Sequence, residues 1–179
     1  MPEILKKSDL PDNDLVRRRR ADIEKLLPNY PDRRAILVPL LWLIQEEDGW
    51  ISPQLMVEAA QICRITVAEV KEVVSFYQML NTEPCGKYVF GICATLPCAL
   101  SGADGLYADL SERFGIEWEE TTEDGMWTIQ RRECLGACSE APVMLVNQTL
   151  ETKLTREKVE RIIAECEKGQ RKPYYTGRP

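Results

Sequence analysis

Residues 87–98 read Lys87-Tyr88-Val89-Phe90-Gly91-Ile92-Cys93-Ala94-Thr95-Leu96-Pro97-Cys98, and residues 126–138 read Met126-Trp127-Thr128-Ile129-Gln130-Arg131-Arg132-Glu133-Cys134-Leu135-Gly136-Ala137-Cys138. Each begins with β-branched and aromatic residues that favour a strand, and each ends in two closely spaced cysteines. Strands predicted over residues 87–93 and 126–131 give both cysteine loops rigid bases, and Gly136 permits close backbone approach in the second. Four thiols so held can grip a soft metal centre. A helix predicted over residues 99–114, burying Leu100, Leu106, Leu110 and Phe114 and ended by Gly115, separates the two strands. A hairpin follows, residues 143–146 and 149–153 about Asn147-Gln148, and then a helix capped by Thr155 that buries Val159, Ile162 and Ile163. The succession of strand, helix, strands and helix predicts a small sheet covered by helices.

Upstream of Pro84 the pattern is helical. Asn13 or Asp14 can cap a segment with an apolar stripe of Leu15, Val16, Ile23, Leu26 and Leu27, stopped by Pro28 and Pro31. Its run from Arg17 to Arg20 reads as an exposed polar face. Asp32 can cap a second helix ending near Gly49, kinked or delayed by Pro39. Ser52-Pro53 opens a third, and Thr66 with Glu69 forms a capping box for a fourth in which Val70, Val73, Val74 and Tyr77 recur at helical spacing. The last two suggest a helix-turn-helix only superficially. Glu69 and Glu72 would meet phosphate repulsion, so packing between helices is the reading.

Composition narrows the chemistry. The chain has 179 residues, 44% hydrophobic and 29% charged, with a net charge of −6. An acidic balance is a poor match for nucleic acid, and none is expected as a partner. There is no histidine, which removes imidazole metal-hydrolase sites, histidine triads, Rieske ligation and c-type haem attachment together. The longest apolar run, residues 35–44, is about half the ~20 residues that span a bilayer. The N-terminus lacks the apolar core of a signal peptide, so a cytoplasmic compartment is expected. Charge is unevenly spread: Glu119, Glu120, Glu123 and Asp124 form an acidic run, whereas Lys168, Arg171, Lys172 and Arg178 make the tail basic.

The odd total of seven cysteines argues against a disulfide scaffold. Neither close pair is Cys-x-x-Cys, so thioredoxin-type dithiol chemistry lacks its local geometry. Small Ala94, Ala99 and Ala137 leave room for inorganic sulfide beside metal. Loop spacing by itself admits a tetrahedral zinc site as well as a two-iron cluster, with the cluster ahead. Cys63 reads as packing, and Cys85 and Cys166 lack a close partner. No glycine-rich dinucleotide fingerprint is present, which points to a partner for any nicotinamide or flavin.

At these residues the sequence closely resembles the small [2Fe–2S] subunit family of NADH-quinone oxidoreductase, respiratory complex I. The resemblance lies in the stretch from Cys93 to Cys98, residues 99–133 as spacer, and the stretch from Cys134 to Cys138 followed by Ala141-Pro142. It extends to residues 33–43, 45–50 and 73–77. The resemblance implies an α+β fold: an N-terminal helical bundle (1–83), a thioredoxin-like [2Fe–2S] ferredoxin domain (84–167) and a basic C-terminal tail (168–179). It implies that Cys93, Cys98, Cys134 and Cys138 bind one [2Fe–2S] cluster, and that no residue of the chain is catalytic. It further implies a larger partner subunit that binds FMN and NADH and carries a [4Fe–4S] cluster, with further iron–sulfur subunits in a peripheral arm. Membrane association is expected only through that complex. Similar subunits occur in soluble NAD-linked hydrogenases and formate dehydrogenases, the close alternative. A zinc-stabilised protein-interaction module is the distant one.

Overall fold

The computed structural model describes residues 10–175. The signal-peptide reading of the first residues (1–9) and the end of the tail (176–179) fall outside them. Two compact units are present, one running through Pro84 and the other Cys85–Tyr174.

The first unit is built from four helices whose starts are local in origin. Helix α1 (Asp14–Leu26) begins where Asn13 accepts a hydrogen bond from the Val16 N–H, and it buries Leu15, Val16 and Ile23. Asp32 accepts from the Ala35 N–H and starts a short 3-10 turn, so α2 (Leu37–Asp48) begins late, with Pro39 in its first turn rather than at a kink. Gly49, at φ 81°, ends α2 in the left-handed conformation that a residue without a Cβ adopts freely. Ser52 caps α3 (Pro53–Cys63), and both halves of the Thr66–Glu69 capping box form at α4 (Val67–Phe76). The predicted α4 stripe is partly corrected, since Val70 and Val74 are buried but Tyr77 is 38% exposed.

The arginine run is also more than a solvated face. Arg17 and Arg20 are exposed, but Arg18 lies 2.5 Å from Glu47 and 3.2 Å from Asp48, and Arg19 lies 3.5 Å from Glu47. Two carboxylates in the last turn of α2 sit unfavourably against the helix dipole, and these guanidinium groups neutralise them. Buried Glu58 on α3 accepts from the Leu15 N–H at 2.7 Å, satisfying a free amide at the start of α1. Apolar side chains of all four helices fill one core between them.

In the second unit, β1 (Tyr88–Cys93) is buried at every residue, as a strand covered on both faces should be. It is followed by α5 (Leu96–Leu100), α6 (Ala103–Phe114) and β2 (Trp127–Arg132), which lies parallel to β1 with Cys93 opposite Arg132. Strands β3 (Met144–Val146) and β4 (Thr149–Glu151) form the hairpin, turned at Asn147, and the sheet order is β2-β1-β3-β4 with β3 antiparallel to β1. Thr155 caps α7 (Arg156–Glu167), which buries Val159, Ile162 and Ile163. The single helix expected over residues 99–114 is in fact two. Gly102 takes φ 98° between them, and Leu100, expected in the core, is 81% exposed.

The basic tail is not a frayed end over its described length. Arg171 pairs with Glu151 and Glu165, each at 2.8 Å, Asn147 donates to the Lys172 carbonyl at 2.8 Å, and the Tyr174 N–H donates to the Lys87 carbonyl at 2.8 Å. Among the described residues no helix is long and apolar enough to cross a membrane.

Candidate metal centre

Because β1 and β2 are parallel, the segments that leave them emerge at the same end of the sheet. Cys93 is the last residue of β1. The Ala94 N–H bonds the Arg132 carbonyl at 3.0 Å, and the Cys93 N–H bonds the Val143 carbonyl at 3.2 Å, so the exit of β1 is held from both sides. Cys98 lies in α5 rather than in the open loop expected, and its N–H bonds the Thr95 carbonyl at 3.0 Å. Cys134 follows β2, and Cys138 opens the 3-10 turn Cys138–Glu140. Gly136 adopts φ 74°, which lets the chain reverse between these two cysteines, and its N–H points to Cys134 Sγ at 3.4 Å.

Cys93 and Cys98 are buried, Cys134 and Cys138 are exposed, and all seven cysteines are free. Cys134 Sγ and Cys138 Sγ are 3.9 Å apart. The loops also meet. Burial opposes ionisation of Cys93, yet the Thr95 hydroxyl, the Thr95 and Leu135 amides and the Cys98 thiol outweigh it and hold this thiol below its usual pKa. Cys98 is pushed up by burial, against a bond from the Val143 amide, and by the charges of Cys93 and Cys138. Cys138 is pushed up by its hydrogen bond to Cys134 and by the charges of Cys134 and Cys93. Cys93 and Cys138 thus bear on Cys98, and Cys134 and Cys93 on Cys138, so thiols of both loops lie within electrostatic reach, and clustered thiolates favour a cationic centre.

Among the described residues no group of three or more His, Cys, Asp or Glu side chains gathers around a single-ion position. The fit to an iron–sulfur group rests on donor chemistry: soft sulfurs only, two of them buried and two open, with backbone amides directed at sulfur. The remaining cysteines differ. Burial pushes Cys63 and Cys85 up to about 12 and Cys166 up to about 11, keeping them as neutral packing thiols. Cys85 Sγ receives a weak contact from the Gln130 amide at 3.8 Å. Thr95 escapes a reading of the sequence because a threonine just before Leu96-Pro97 looks only like a helix cap.

A thioredoxin-like sheet carrying two cysteine pairs at one end of its parallel strands defines a class of metal-thiolate protein. The family described as thioredoxin-like [2Fe-2S] ferredoxin matches residues 23–167, and the chain belongs to it. The chain is similar to NADH-quinone oxidoreductase subunit 2 of Thermus thermophilus, with 41% identity over 152 residues, 83% of this chain and 84% of the relative. It is similar to a NADH-quinone oxidoreductase subunit of Mycobacterium tuberculosis, with 41% identity over 134 residues, 75% of this chain and 53% of the relative. The chain therefore spans about half the length of the mycobacterial relatives it matches. A NADH-quinone oxidoreductase subunit of Rhizobium meliloti is 34% identical over 152 residues, 85% of this chain and 90% of the relative. These relatives bear out the resemblance drawn from the two cysteine stretches. Crystal structures of an NAD+-reducing [NiFe]-hydrogenase, air-oxidized and H2-reduced, share the fold at a TM-score of 0.66. Identity there is 19% and 20%, over 75% and 74% of this chain and 23% and 22% of the hydrogenase chain.

Proposed function

We propose that the chain is the [2Fe–2S] electron-transfer subunit of an NADH-quinone oxidoreductase, with Cys93, Cys98, Cys134 and Cys138 as cluster ligands. The observation that supports this reading is the parallel pairing of β1 and β2, which brings both cysteine loops out at one end of the sheet, with the Leu135 amide of one loop directed at Cys93 of the other. Bound there, a [2Fe–2S] cluster supplies reversible uptake of single electrons. Buried Cys93 and Cys98 would keep water from a group held there, whereas exposed Cys134 and Cys138 would leave it accessible to a partner. No side chain need act as acid, base or nucleophile, and the residues fix ligand position, dielectric and hydrogen bonding to sulfur.

The chain carries no dinucleotide fingerprint, so NADH oxidation falls to a larger subunit holding FMN, NADH and a [4Fe–4S] cluster, beside further iron–sulfur subunits of a peripheral arm. Placement on the cytoplasmic face, attached to the membrane only through that complex, follows from the same reading. The assay is metal and acid-labile sulfide analysis of the purified chain with electron paramagnetic resonance after dithionite reduction. About two irons and two sulfides per chain with a spin-one-half signal support the proposal; zinc without sulfide overturns it in favour of an interaction module. Co-purification with a quinone-linked assembly, rather than a soluble NAD-linked hydrogenase or formate dehydrogenase, tests the parent complex.

A further inference from the structure

Among the described residues, every α-helix start with a Ser, Thr or Asn at its cap uses that side chain to cap, except one. Asn13, Ser52, Thr66 and Thr155 each accept from the amide three residues on, whereas Thr95, in the same extended cap geometry at φ −86° and ψ 162°, makes no such bond. Local sequence explains why it is released. The second helical position is Pro97, which has no N–H, and the Cys98 and Ala99 amides are both taken by the Thr95 carbonyl at 3.0 Å. The hydroxyl turns instead to Cys93, with Oγ1 3.2 Å from Sγ. A side-chain cap stabilises a helix start, so the geometry forgoes a common stabilisation in favour of a sulfur contact.

We infer that the Thr95 hydroxyl is a positioning donor to the Cys93 ligand sulfur and raises the reduction potential of the centre, an inference that rests on the cluster reading above. A ligating cysteine is a thiolate, which only accepts, so the hydroxyl must be the donor in the loaded protein. Reduction adds negative charge that is shared with the sulfurs, and a donor stabilises that state more than the oxidised one. The Thr95 and Leu135 amides also bond Cys93. They belong to the backbone and survive substitution at position 95, which isolates the hydroxyl.

The test is a redox titration followed by electron paramagnetic resonance on the full chain, loaded with iron and sulfide, comparing wild type with Thr95→Val, Thr95→Ala and Thr95→Ser. Loss of the hydroxyl is expected to lower the one-electron equilibrium about tenfold, a shift of about 59 mV to lower potential, while Thr95→Ser keeps the wild-type value. An unshifted potential in loaded Thr95→Val or Thr95→Ala overturns the inference, as does a Thr95→Ser potential as low as theirs, which would assign the shift to lost methyl packing. Failure of both hydroxyl-free variants to hold iron, with helix content unchanged, also overturns it by making the hydroxyl an assembly requirement. A wild-type chain that binds no iron and sulfide rejects the cluster reading itself, a different result.

Discussion

Gly91 and Arg132 share one space across the parallel pair β1–β2: a methyl group at position 91 would lie 2.8 Å from Arg132 Cγ and 3.0 Å from its Nε. Arg132 is buried and stands opposite Cys93 in the register, so the strand that delivers a candidate ligand is packed through this contact. Gly91→Ala must displace a side chain that has no open solvent to move into. The expected cost is about 1–3 kcal/mol, read as a lower denaturant midpoint at unchanged slope. A midpoint equal to wild type would mean that Arg132 yields freely.

In the helical unit, Gln45 is buried and acts in both directions. Its amide donates to the Met79 carbonyl at 2.6 Å and its oxygen accepts from the Asn81 N–H at 2.6 Å. Gln45→Leu fills similar volume but withdraws both bonds, at about 1–3 kcal/mol for each group left unsatisfied. Amide exchange at Asn81 should quicken in this variant; unchanged protection there would argue against the latch.

Cys134→Ser should markedly reduce bound iron and sulfide while helix content by circular dichroism stays close to wild type. Cys166→Ala removes a sulfur that is fully buried in α7. It should cost on the order of 1 kcal/mol in stability and leave iron content unchanged. Full loading of Cys134→Ser would remove Cys134 from the ligand set.

Burial opposes ionisation of Glu151, but bonds from Arg171 and Lys158 outweigh it and hold the carboxyl below its usual 4.5. A folded pKa below the unfolded value means that this contribution is complete above about pH 4.5 and fades as pH falls through the lower, folded pKa. Acid unfolding should therefore include a component below pH 4.5 that Arg171→Gln diminishes. Identical pH profiles for the variant and wild type would show that the tail pairing adds nothing.

Much of this architecture was legible in the chain because it depends on near neighbours. Asn13, Ser52, Thr66 and Thr155 each cap a helix through an amide three residues away, and the apolar spacing of Leu15, Val16 and Ile23 follows from the helix period. Leu100 departs from its expected place for the complementary reason. Its spacing suits a continuous helix, but Gly102 breaks the chain and turns α5 onto a separate course.

Linear sequence carries the starts of α1, α3, α4 and α7, the strands, the hairpin and four candidate thiols, since each depends on contacts within a turn or on alternation along one segment. Only the tertiary structure decided that β1 and β2 run side by side, that Arg132 lies over Gly91, that Arg171 ties the tail to Glu151 and Glu165, and that Thr95 turns to Cys93 instead of capping its helix. Register and side-chain competition are settled by residues distant in the chain, or by which of several nearby donors is already satisfied, and linear spacing carries neither.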